Sequence, residues 1–136
     1  MIKTQKEIED DIYQNIMSSD LKNTINGNIY KSGLRPRDSK IEDIIVISTT
    51  GIPTQIQEGI ITLNIYVNDI TPYNNGVYVE NGTRIQTLQR AAQDWVENLN
   101  IEGYKFKLKQ TIYSVQDEVI NQHFIVVKLA YKYFND

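Results

Sequence analysis

Cysteine is absent from the 136 residues and histidine occurs once, at His123. The first absence excludes a disulfide framework, a thiolate zinc site, an iron–sulfur cluster and a cysteine nucleophile. The second excludes a multi-histidine metal site within one chain and leaves any serine–histidine machinery resting on His123 alone. Long apolar runs are missing too: Ile44–Ile47 and Phe124–Val127 fall far short of the ~20 residues that cross a bilayer. The first eleven residues carry four acids and no apolar stretch, so no secretory or transit signal is expected there.

Charge of one sign is also scarce. Fourteen Lys and Arg face seventeen Asp and Glu, a formal net charge of −3. The pI near 5.2 argues against general nucleic-acid binding, which draws on a basic field, although a local basic patch stays open. Glycine is scattered, and no G-x-x-x-x-G-K-[ST], G-x-G-x-x-G or G-x-S-x-G occurs, so neither a phosphate-cradling loop nor a nucleophile elbow is present. Asn81-Gly82-Thr83 matches a glycosylation sequon that carries no weight without a secretory signal.

What is present is a chain with 40% hydrophobic residues, nine Tyr and one Trp. The length suits one domain, residues 1–136, able to bury roughly two-thirds of its unfolded surface. Ile8, Ile12 and Ile16 recur at i+4 and predict a helix from Thr4 to about Met17, with Thr4 and Glu7 spaced as a capping box. Ser18-Ser19-Asp20 ends or bends it. Asn28–Lys31 is a short strand, and Ile44–Thr49, apolar on both faces, is a central one. Ile60–Asn68 alternates cleanly, with Ile61, Leu63, Ile65 and Val67 on one face. The stretch from Asp69 to Gly82, with two Asn-Gly pairs, is long for a plain connection and reads as an arm.

Ile85, Leu88, Ala92, Trp95 and Leu99 trace a second helical stripe, on which Trp95 reads as core. Two amphipathic strands close the chain. Their hydrophobic faces match when Tyr104 pairs with Tyr133, Phe106 with Tyr131, Leu108 with Leu129 and Ile112 with Ile125. The expected class is therefore α+β: a single antiparallel sheet with two helices on one face, in the order α-β-β-β-(arm)-α-β-β.

The same register sets Lys105 opposite Lys132 and Lys109 opposite Lys128, with Lys107 between. Like charges directly opposed on a sheet are mildly destabilising, so the strip is either a solvated face or one that meets acidic groups. The acids Glu7, Glu9, Asp10 and Asp11 on the first helix are its natural complement, although a helix start explains them as well. Glu7 and Asp11 share a helical face, but the glycine-containing loop of a calcium site is missing. Glu42 and Asp43 follow Arg35, Arg37 and Asp38 and point to buried ion pairing in a loop. No second titratable group is tied to His123 by a motif, so a surface or packing role outweighs general-base chemistry. No catalytic residue, metal ligand or cofactor site is nominated.

The order of elements resembles the tail completion or tail terminator proteins of long-tailed bacteriophages, over nearly the whole chain. The segments Gly33-Leu34-Arg35-Pro36 to Glu42-Asp43-Ile44-Ile45-Val46 and Gln55-Ile56-Gln57-Glu58-Gly59 to Asn64-Ile65-Tyr66-Val67 are also similar to prophage proteins of gut bacteria. The resemblance implies a non-catalytic ring, commonly a hexamer, at the head–tail junction. Its partners would be copies of itself, the tail tube and head-connector proteins, with no membrane and no nucleic acid. It would be found in the host cytoplasm during assembly and then in the virion tail. The arm, with Tyr73 and Tyr78, would be the part that reaches a neighbour. The candidate contact residues are thus Glu7, Asp10, Asp11, Tyr73, Tyr78, Lys105, Lys107, Lys109, Lys128 and Lys132. The alternative is a small adaptor, for nucleic acid or protein, using the lysine-lined sheet face.

Overall fold

In the computed structural model, residues 1–49 and 51–134 are described. Helix α1, Gln5–Met17, begins as its sequence predicts: the Thr4 hydroxyl accepts from the Glu7 amide while the Glu7 carboxylate accepts from the Thr4 amide. This reciprocal cap satisfies two of the donors a helix start leaves open. The Ser18-Ser19 break leads into a short second helix, α2, Asp20–Thr24. One turn offers too little apolar periodicity to stand out in the sequence. Strand β1, Ile29–Lys31, and strand β2, Ile44–Ser48, follow. The long strand β3, Ile56–Asn68, starts earlier than its alternating core suggests. Helix α3, Gly82–Asn98, is capped by the Asn81 side chain, which accepts from the Arg84 amide. Strands β4, Tyr104–Leu108, β5, Tyr113–Gln116, and β6, Gln122–Phe134, close the chain.

The class is α+β. The sheet runs β1-β2-β3-β6-β4, with β5 also paired to β6. Two features correct the expected arrangement. The sheet is mixed, because β1 lies parallel to β2, and a third helix is present. The parallel pair is geometrically allowed because the 32–43 connection has the dozen or so residues a crossover needs. Residues Arg35–Asp43 carry it across the sheet without a helix.

The closing strands keep the expected register from Tyr104↔Tyr133 to Leu108↔Leu129. Beyond Lys109 it slips by two residues: Ser114, not Ile112, faces Ile125. A slip of two, unlike a slip of one, returns each side chain to its original face, so the hydrophobic pattern survives the interruption.

The core lies on one side of the sheet. Ile44, Val46, Ile61, Leu63, Ile65, Ile125, Val127 and Leu129 meet Ile8, Ile12, Ile16, Ile85, Leu88, Ala92 and Trp95. Trp95 is buried there as expected and donates its indole N–H to Asn15 Oδ1 at 2.9 Å. Among the described residues, no helix is long and apolar enough to cross a membrane.

Candidate functional site

Because β-strand side chains alternate, packing both long helices on one face leaves the other to the even-numbered residues of β3 and β6 and the odd-numbered residues of β4. On it stand Ile60, Thr62, Asn64 and Tyr66 from β3, and Phe124, Lys128, Ala130 and Lys132 from β6. Its two halves differ. The Tyr66 half is covered by the β1–β2 crossover; the lysine half is uncovered.

The covered half is held by ionic contacts. Arg35 lies 3.8 Å from the Tyr66 ring centroid and donates from Nε to Asp43 Oδ2 at 2.9 Å. Its side chain is 8% exposed and that of Asp43 0%. Asp43 also accepts from the Asn28 amide at 2.9 Å and from the Ser39 hydroxyl. Arg35 donates further to Gln122 Oε1 at 3.1 Å. Burial pushes the Tyr66 phenol above its ordinary range. Nearby, Glu42 takes both Nε and Nη2 of Arg84 at 2.7 Å, tying the crossover to the start of α3. That contact raises the already high Arg84 pKa. The loop ion pairing expected from the sequence is thus present.

The uncovered half carries the lysines. Lys105 faces Lys132 directly, Lys107 faces Ala130, and the Lys109 amide donates to the Lys128 carbonyl at 2.9 Å. Lys105, Lys107, Lys109 and Lys132 rim a groove of about 440 Å³ whose lining includes Gly59, Ile60, Ala130 and Glu58. Glu58 lies 3.6 Å from Lys132. Among the described residues, Lys105, Lys107, Lys109 and Lys128 enter no ion pair. Tyr104, Tyr131 and Tyr133 belong to the opposite face, where Tyr104 stacks with Phe106 and Tyr131.

The acids of α1 are spent inside the chain. Asp10 pairs with Lys31 at 2.7 Å, which lowers its pKa and raises that of Lys31. Asp11 takes Lys3 Nζ at 2.5 Å and the Tyr104 hydroxyl at 2.7 Å. Burial, with that hydrogen bond second, drives the Tyr104 phenol far above its ordinary value. Glu7 is held by the Thr4 backbone and hydroxyl, which lower its pKa. Glu9, fully buried, accepts from the Ser32 amide at 2.9 Å, a partner 23 residues away that local spacing does not reveal. The α1 acids are therefore not free to complement the lysine strip.

The arm leaves the sheet at Asp69 and returns at Glu80. Ile70 and Val79 exchange backbone hydrogen bonds at 2.9 Å in both directions. The turn beyond them uses Asn74 and Gly76 at positive φ. Tyr73 is 71% exposed and Tyr78 52%. Beneath the arm, His123 Nδ1 lies 2.6 Å from Asp69 Oδ1, and its Nε2 lies 3.9 Å from Glu80 Oε2. These two partners, one at each foot of the arm, are the titratable neighbours that sequence motifs did not show. Among the described residues, no group of three or more His, Asp and Glu could hold a metal ion.

The comparisons speak to fold alone. No protein-family model matches the chain, and no curated protein matches it. Solved structures do match. One of them, whose designation states neither a family nor an activity, superposes with a TM-score of 0.54 at 11% identity, covering 96% of this chain and 95% of its own. Identity that low supports a shared fold and nothing finer.

Proposed function

We propose that this chain is a structural assembly subunit, a tail completion or tail terminator protein of a long-tailed bacteriophage whose copies join into a ring at the head–tail junction. The observation that carries the reading is the uncovered half-face of the sheet, where Lys105, Lys107 and Lys109, without an ionic partner among the described residues, line an open groove. Opposing Lys105 and Lys132 costs a little in an isolated chain, and a partner that brings acids would remove that cost. The exposed Tyr73 and Tyr78 on a self-bonded arm support the same reading, because large rigid side chains held out from the body are costly to leave wet and useful in contacts. Subunit joining would also shield the open sheet edges at β1 and β4. Head-to-tail contacts that close are the geometry such a ring requires.

The adaptor reading keeps Phe134 beside Lys105 on the lysine face but not the tyrosines it would draw on most. Single-strand binding on a basic sheet relies on aromatic faces beside the cations. Here Tyr104, Tyr131 and Tyr133 face the helices, and Arg35 covers Tyr66.

Light scattering across a concentration series, followed by electron microscopy with isolated tail tubes, tests the proposal. Rings, or density capping the tube end, are expected. A strict monomer that leaves tube ends bare contradicts it. Salt-sensitive binding to an oligonucleotide that is lost in Lys107→Glu would favour the adaptor instead.

A further inference from the structure

The lysine groove lies toward one end of β6, and a tip of opposite character lies at the other. The β5–β6 turn reads Asp117-Glu118-Val119-Ile120-Asn121. It is pre-shaped: Asp117 Oδ1 accepts from the Val119 amide at 2.9 Å and the Ile120 amide at 3.3 Å, while the Asp117 amide donates to the Gln122 carbonyl at 2.9 Å. This small bonded turn holds out Val119, 91% exposed, the most exposed large apolar side chain among the described residues. Glu118 beside it is exposed and enters no ion pair. Arg37 and Lys40 line the same end of the sheet and His123 lies between Asp69 and Glu80, but Asp38, Asp69, Glu80, Asp117 and Glu118 outnumber these three. The end is acidic on balance.

We infer that the acidic Asp117–Ile120 tip of one copy seats in the lysine groove of the next. Val119 would lie against Ile60 and Ala130, with Glu118 among Lys105, Lys107 and Lys109. Charge and polarity match on both levels. The groove offers an apolar floor inside a cationic rim, and the tip offers an apolar prong beside a carboxylate. At 440 Å³ the groove has room for one prong of this kind. A tip already held by its own hydrogen bonds loses little conformational entropy on docking.

A copy cannot serve itself. From Gln122 to Ala130 the strand runs about 26 Å at ~3.3 Å per residue, leading away from the tip. Groove-to-groove pairing is disfavoured, since four lysines would then meet four lysines with one Glu58 on each side. The contact therefore joins unlike surfaces: repeated head to tail it closes as a ring or continues as a filament, and exchanged reciprocally it closes as a two-fold pair. The inference rests on the assembly reading and adds which surface meets which.

The test uses charge reversal and cysteine capture. Glu118→Lys and Lys107→Glu, both at exposed positions, should each weaken self-association by about tenfold or more, with unchanged thermal melting. The chain carrying both reversals should recover to within about threefold of the parent. Because the parent has no cysteine, mixing Val119→Cys with Ala130→Cys under mild oxidation should trap a mixed disulfide-linked pair in preference to either self-pair. Association that persists, indifferent to both reversals and without the mixed disulfide, overturns tip-in-groove docking and leaves the assembly reading standing. Absence of any association, with no disulfide capture at high concentration, overturns both.

Discussion

The Arg35–Asp43 pair is the contact on which the covered half of the sheet most depends, and its loss has a size that can be worked out. Replacing Arg35 with Met keeps most of the stem volume and removes the guanidinium. Asp43, 0% exposed, then keeps its bonds to the Asn28 amide and Ser39 hydroxyl but loses the one cation paired with it among the described residues. Leaving one member of a buried pair uncompensated costs about 3–5 kcal/mol. Loss of the stacked contact with Tyr66, at 3.8 Å, adds about 1 kcal/mol. Taking about 4 kcal/mol in all, and a urea dependence of about 2 kcal/mol per molar, the midpoint falls by about 2 M. For a domain whose total stability is about 5–15 kcal/mol, that is a large share. Asp43→Asn should cost less, about 2–3 kcal/mol, because the amide oxygen still accepts from Asn28 while the Arg35 cation loses its counter-charge. The double variant, with neither charge left to strand, should be more stable than the two single losses sum to, by at least about 2 kcal/mol. Urea unfolding followed by Trp95 fluorescence measures all four proteins. A loss under 1 kcal/mol for Arg35→Met, or strict additivity in the cycle, would refute the claim that this pair pins the crossover.

Other outcomes follow from the same geometry. Thr4→Ala removes a hydroxyl cap and should cost about 1 kcal/mol by chemical unfolding. The folded Glu7 pKa lies below its ordinary 4.5, so the stability it contributes is present above pH 4.5 and lost as pH falls through the folded value. Glu7→Gln, which removes the carboxylate held by the Thr4 amide and hydroxyl, should therefore flatten the acid limb of the stability–pH curve below about pH 5. Thr4→Ala should do so less, because the residue-4 amide still donates, and an unchanged limb in Glu7→Gln would count against the cap. Tyr104 is shifted the other way. Its contribution is present below the ordinary phenol value of 10 and lost as pH rises above it, so tyrosinate absorbance should climb together with unfolding, and Tyr104→Phe should make that climb less steep. Leu63→Ala, at a fully buried position in the middle of β3, should cost about 2–5 kcal/mol by the same unfolding assay.

Features with a short period were readable in the sequence. The alternation of Tyr104, Phe106 and Leu108 against Leu129, Tyr131 and Tyr133 set the lysine face, because a one-residue slip would flip every side chain, and matching the large apolar residues gave the register of this segment. The stripe through Ile85, Leu88, Ala92 and Trp95 placed α3 and the buried tryptophan for the same reason. Features joined over long distances were not readable. The two-residue slip after Lys109 carries no glycine or proline to mark it and leaves the faces unchanged, so the hydrophobic pattern is blind to it. The parallel β1–β2 pair depends on a crossover pinned by Arg35, Asp43 and Gln122, contacts that no local spacing encodes. Charge alone also misled on α1. Glu7, Asp10 and Asp11 looked like a free acidic face, but Thr4, Lys31, Lys3 and Tyr104 occupy them. The acidic tip at Asp117-Glu118 is visible as letters. Its protruding Val119 depends on hydrogen bonds that only the folded turn supplies.

That copies of this chain assemble through the uncovered lysine face is the central claim, and sedimentation velocity tests it most directly. The parent and Lys107→Glu proteins would be run side by side at low and high salt, up to millimolar concentration. The account predicts a concentration-dependent ring-sized species for the parent, weakened by salt because the contact is ionic, and strongly reduced in Lys107→Glu. A single monomer boundary for the parent at every concentration, or an oligomer indifferent to both salt and Lys107→Glu, would contradict it.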